Sequence, residues 1–170
     1  MTVIAWDGKT LCTDQQANDG SMKWEAEKAW YITNKATGKI CIVTGVGTLG
    51  YIIQLRDWFA SGMETALDIT PNMAELIVVD DEGLCVFSGE KTYSPVRLKA
   101  PMAFGKTYSP VRLKAPMAFG HGREYAMGAM AMGANASEAV VIANEYSLHC
   151  GKGVACYTIH PDEKGDNQNG

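Results

Sequence analysis

The chain has 170 residues, 46% of them hydrophobic, a formal net charge of −4 and an isoelectric point near 5.3. That length and apolar content suffice for one domain over residues 1–160, with a polar, Gly/Asn-rich tail over 161–170 that is expected to be disordered. With no broad basic field and no apolar run approaching 18 residues, nucleic acid and membrane are poor partners for it.

Met1 leads directly into TVIAWDG, with neither a basic start nor a long apolar run, so no signal peptide is expected. TVIAW and KTLCTDQQA flank Asp7-Gly8, and a DG pair between β-prone runs predicts a hairpin. KAWYIT and KICIVTGV follow as a second hairpin around the turn-rich stretch from Asn34 to Gly38. Thr48 can cap a helix through TLGYIIQLRDWFASG, where Leu49, Ile52, Ile53 and Phe59 recur at helical spacing and Gly62 is a stop. AELIVVD and LCVFSG predict a third hairpin.

Residues 91–105 and 106–120 are the same fifteen residues, KTYSPVRLKAPMAFG, written twice. Val111, Leu113, Ala115, Met117 and Phe119 alternate with mixed neighbours, which predicts a strand over 111–119 in the second copy. The first copy is then an inserted duplicate, expected to form a surface loop or edge hairpin, because lengthening a loop costs little. Beyond it, REYAMGAMAMGA predicts a helix closing at Gly133. Asn135 opens another, with Glu138 as its capping-box partner, and VACYTI returns as a strand. Strands, helix, strands, two helices and a strand, in that order, suggest two sheets between helical layers.

The five cysteines are odd in number, scattered, and never form CxxC. That pattern argues for a reducing cytosol and against a disulfide framework or structural zinc, and no cofactor or metal is expected.

The chemistry concentrates at the start of the chain. Removal of Met1 would give Thr2 both a hydroxyl and a free α-amine of pKa about 7.7 to 8.0, able to accept the hydroxyl proton near neutral pH. Asp14 ends the strand paired with the first, Lys28 opens KAWYI, and Gly45 and Gly47 end the apolar strand KICIVTGVG. A lysine charge near Thr2 favours the deprotonated nucleophile, Asp14 would orient that lysine, and the Gly47 N–H could stabilise an oxyanion.

TVIAWDGKTLCTD, EKAWYI, IVTGVGTLG, AFGHGREYAMGAMAMGA and HCGKGVACYTI, in this order over about residues 2 to 159, resemble the proteasome β-subunit family and the peptidase subunit of its bacterial two-component relative. The opening and the GAMAMGA helix look most like short proteasome-like proteins of phages and prophages. The resemblance implies an α+β N-terminal nucleophile hydrolase, a four-layer αββα sandwich, and threonine-type hydrolysis of peptide bonds. Carried over by position, Thr2 is the nucleophile, Asp14 and Lys28 its acidic and basic partners, and Gly47 the oxyanion glycine, with Gly45 competing for that role. The implied setting is a bacterial host cytoplasm, with a peptide or unfolded protein as substrate and a homo-oligomer, a ring among the options. A partner ATPase is not identified.

Three features depart from the family. Gly120-His121-Gly122 stands where Gly-Ser-Gly is usual. Ser147 and Cys150, in Ser147-Leu148-His149-Cys150-Gly151, replace an acid and a hydroxyl that normally orient the nucleophile's amine. His121 could shuttle a proton or be a plain loop histidine, and Cys150 reads as a packed small residue. Two functions follow: a threonine peptidase, or a proteasome-like scaffold or assembly protein that keeps the fold without catalysis. A hydrolase of non-peptide amides is a third.

Overall fold

A computed structural model describes residues 2–19, 21–64, 74–87 and 111–159. The elements run β1 (Val3–Trp6), β2 (Thr10–Asp14), β3 (Gln16–Asp19), β4 (Met22–Glu25), β5 (Ala29–Thr33), β6 (Ile40–Gly47), α1 (Leu49–Ala60), β7 (Ala74–Asp80) and β8 (Gly83–Phe87). They continue with β9 (Val111–Leu113), β10 (Met117–Gly120), α2 (Arg123–Ala131), α3 (Ala136–Tyr146) and β11 (Val154–Thr158). The expected loop over 91–105 and the tail over 161–170 lie outside the described residues.

Two antiparallel sheets form the centre, ordered β10-β1-β2-β11 and β5-β6-β7-β8-β9, and β3 pairs with β4 in a separate ribbon. Because successive side chains of a strand point to opposite faces, VIAW can bury all four residues only if both faces of its sheet are covered. Val3 and Ala5 face α2 and α3, where they pack with Ala126, Ala139, Val140 and Ala143. Ile4 and Trp6 face the second sheet, meeting Ile42, Ile77, Val79 and Leu84. In β7, Ile77 and Val79 join that inter-sheet core, whereas Leu76 and Val78 turn outward to Leu55, Trp58 and Phe59 of α1. The result is the four-layer αββα order of helices, sheet, sheet, helix. The alanines that line the inner faces of α2 and α3 let both helices lie close on the first sheet.

Local chemistry explains the connections. Asp7 accepts the Lys9 and Thr10 N–H groups in the first hairpin and also the Ala136 N–H at the start of α3. Burial works against its ionisation, but these N–H donors prevail and hold its carboxyl below the usual carboxylate range. Asn34 turns the second hairpin, its Oδ1 accepting the Ala36 and Thr37 N–H groups while its Nδ2 donates to the Phe59 carbonyl. The capping box on α3 is complete, with Asn135 accepting the Glu138 N–H and Glu138 accepting the Asn135 N–H. Asn135→Ala should therefore lower stability by about 1 kcal/mol in urea unfolding, and Asn135→Ser by less. Thr48, by contrast, makes no side-chain cap. It occupies the position before α1 with extended backbone, and its carbonyl takes the Tyr51 and Ile52 N–H groups.

Two further expectations are corrected. The run over 111–119 is not one strand: β9 pairs with β8 in the second sheet, and β10 pairs with β1 in the first. Pro116 has no N–H to donate to a ladder, so pairing stops there and the chain passes between sheets. The alternation survives the division, since Leu113, Met117 and Phe119 all pack against the inter-sheet core. Second, Cys12 and Cys156 are joined by a disulfide. They lie 144 positions apart in sequence, but face each other across the β2–β11 ladder. An odd, scattered cysteine count carries no information about strand register, and it no longer supports a reducing compartment. Cys41, Cys85 and Cys150 are free and buried.

Candidate active site

The site is assembled from strand ends. Thr2 precedes β1 and Asp14 ends β2, and the antiparallel register that opposes Ile4 to Thr13 brings them together. In the second sheet, Ala29 of β5 opposes Thr44 of β6, so Lys28 and the Gly45–Gly47 segment emerge at the same end. Thr44 Oγ1 donates to the Lys28 carbonyl at 2.7 Å and pins the backbone that carries the lysine.

Asp14 is the hub and is fully buried. Its Oδ1 accepts the Thr2 hydroxyl at 2.8 Å, the Lys28 ammonium at 2.8 Å and the Val3 N–H at 3.0 Å. Its Oδ2 accepts the Gln16 N–H at 3.2 Å and the Gly151 N–H at 3.3 Å. A buried carboxylate persists only with such a set of donors. Lys28 is 8% exposed. Burial, the largest influence on it, pushes its pKa below the usual lysine range, while the charge and hydrogen bond of Asp14 act to hold it up. The arrangement is a threonine hydroxyl and a desolvated ammonium sharing one carboxylate oxygen.

The Gly120-His121-Gly122 segment cradles Thr2 from the other side. Gly120 has φ +86°, and a Cβ there would run into the Thr2 carbonyl. The Gly122 N–H donates to that carbonyl at 3.4 Å, and a Cβ on Gly122 would meet Val3, Ala143 and the Cys150 sulfur. Both glycines are thus required by close approach to the residue at the head of β1. Gly47 has φ +120°, which favours glycine, and it lines a pocket of about 400 Å³ together with Thr2, Lys28 and Gly45. Gly45 is held to glycine for a different reason, since a Cβ would press on the Glu75 carbonyl and Ile52.

The three residues singled out as departures behave differently from one another. His121 is exposed and its ring meets His149 edge-on, with centroids 5.3 Å apart. Ser147 ends α3, and its hydroxyl accepts the His149 N–H at 3.4 Å. Cys150 is buried against Gly122; burial raises its thiol pKa, opposed by a hydrogen bond from Ser147, so it packs as a neutral group beside the Asp14–Lys28 pair. The loop that follows supplies the Gly151 donor to Asp14 and a carbonyl for the Gln15 N–H.

Sequence reasoning missed the backbone donors of Val3, Gln16 and Gly151, and it missed the β3–β4 ribbon. A signal for the ribbon was present, because Asp19-Gly20 repeats the Asp7-Gly8 hairpin dipeptide. The backbone donors carry no side-chain signal at all.

No family model matches the chain, and no curated protein matches it. Solved structures do. Thiobacillus denitrificans BPH in complex with epoxomicin aligns with TM-score 0.62 at 15% identity over 94% of this chain and 97% of that one. Eukaryotic HslV from Trypanosoma brucei aligns with TM-score 0.58 at 16% identity, covering 92% and 97%. Anbu, the ancestral β-subunit from Yersinia bercovieri, aligns with TM-score 0.55 at 12% identity, covering 95% and 88%. The fold is that of the proteasome-like N-terminal nucleophile hydrolases.

Proposed function

We propose that this protein, once Met1 is removed, is a threonine-type N-terminal nucleophile hydrolase that cleaves peptide bonds. The observation that carries the proposal is that Thr2 Oγ1 and Lys28 Nζ share Asp14 Oδ1 beside an open pocket. The Thr2 oxygen attacks the substrate carbonyl carbon and gives its proton to the freed Thr2 α-amine. The Lys28 charge, fixed by Asp14, favours that neutral amine and the developing alkoxide. The Gly47 N–H stabilises the oxyanion. The protonated amine then passes its proton to the departing nitrogen, leaving an ester on Thr2. Water, deprotonated by the same amine, attacks that ester, and the hydroxyl recovers its proton. A nucleophile of this kind must be kept from folded proteins, and assembly into a homo-oligomer is the proposed means.

Intact mass of the purified protein, followed by exposure to epoxomicin, the ligand of the BPH structure, tests this reading. The expected result is a chain lacking Met1 that gains one epoxomicin mass, with no gain in Thr2→Ala. Retention of Met1, or a folded, processed protein that does not label, would favour the non-catalytic scaffold instead.

A further inference from the structure

We propose that the pocket beside Thr2 selects peptides carrying a lysine or arginine on the acyl side of the scissile bond, with Asp19 and Trp24 as the residues that recognise it. The inference rests on the hydrolase reading for its reaction, though not for its binding preference. In the β3–β4 ribbon, Ala17 opposes Trp24 and Asp19 opposes Met22. Residues two apart on a strand share a face, and directly opposed residues share it too, so Ala17, Asp19 and Trp24 present one surface. All three line the pocket that also contains Thr2.

The charge on that surface is unbalanced. Among the described lining residues the charged side chains are Asp19 and Lys28, and Lys28 is ion-paired to the buried Asp14. Asp19, exposed at the end of β3, leaves the mouth of the pocket negative. Trp24, diagonal to it across the ribbon, is 41% exposed and offers an aromatic face. Ala17, Leu49 and Ile52, which also line the pocket, are apolar, and Ala17 and Ile52 are buried. A long side chain with an aliphatic stem and a cationic head meets all three: the stem lies on apolar surface, the head reaches a carboxylate, and the ring attracts the charge. A glutamate would bring its charge against Asp19, and a leucine would leave Asp19 unanswered.

The test uses the processed protein and matched tripeptide amides that carry Arg, Leu or Glu at each position before the scissile bond in turn. At one position, kcat/KM for Arg should exceed that for Leu by about threefold to tenfold, as a screened ion pair with a cation–π contact allows. Glu should be worst. Asp19→Asn should bring the Arg-to-Leu ratio close to one, and Trp24→Ala should lower it. Binding of the same peptides to Thr2→Ala, read by fluorescence polarisation, should show the same order without turnover. No position favouring Arg in either measurement, or a preference that survives Asp19→Asn, overturns the proposal. An Arg preference in binding with no turnover by the processed protein would sustain the pocket assignment and count against the hydrolase reading alone.

Discussion

Thr2→Ala should abolish peptide hydrolysis by the processed protein while leaving it folded. The substitution removes the only atom proposed to form the covalent ester, and loss of a nucleophile of this kind leaves residual rates at least about a thousandfold lower. The structural cost is small by comparison. Asp14 loses one of the donors at its Oδ1 but keeps Lys28 and Val3 there, with Gln16 and Gly151 on Oδ2. The loss of one such bond costs on the order of 1 to 2 kcal/mol. Activity and stability therefore separate cleanly: a urea midpoint near that of the wild type with turnover at background is the expected pair of results. Thr2→Ser, which keeps the hydroxyl, should retain measurable turnover. Comparable kcat/KM in Thr2→Ala would place the chemistry elsewhere.

The largest stability effect is expected at Asp14. Asp14→Ala leaves the Lys28 ammonium buried without its counter-charge and strands the Thr2, Val3, Gln16 and Gly151 donors. Breaking a buried pair in this way costs about 3 to 5 kcal/mol, which for a chain of this size lowers Tm by on the order of 10 °C. Lys28→Met placed in the Asp14→Ala background should recover part of the loss, because no charge is then left alone; this is the sign of coupling that a double-mutant cycle reads.

The pH dependence has a defined sign. Burial already depresses the Lys28 pKa, and removal of Asp14 removes the influences that hold it up. A native-state lysine with a depressed pKa releases its proton before the unfolded one does. The penalty of burying the charge is thus greatest below the folded pKa, and it fades as pH rises from that value toward the unfolded one. The stability gap between Asp14→Ala and wild type should narrow in alkaline solution. A gap under about 1 kcal/mol at neutral pH would mean that the pair does not hold this corner of the fold together.

How much of this was legible beforehand depends on the range of each interaction. The hairpin at Asp7-Gly8, the turn at Asn34 and the capping box of Asn135 and Glu138 are chemistry between residues a few positions apart, and each was readable from side-chain type and spacing. So was the layer order, because strands, helix, strands, two helices and a strand in succession suggest two sheets between helical layers, as the family resemblance also implies. The positions of Thr2, Asp14, Lys28 and Gly47 at strand ends followed from the same element reading together with the family resemblance.

What the chain specified by itself, then, was most of its elements, their faces and the residue types at one end of two sheets; the β3–β4 ribbon and the division of 111–119 were not among them. The tertiary structure decided which of those residues touch. Strand register, not spacing, set Cys12 against Cys156, brought Thr2 beside Asp14, and delivered backbone N–H groups from Val3 and Gly151 to one carboxylate. It also divided the run around Pro116 between two sheets, since alternation marks a face but not the sheet that will cover it. Every residue but proline has an N–H, so no pattern of side chains marks those that will converge. Only the path of the folded backbone selects them.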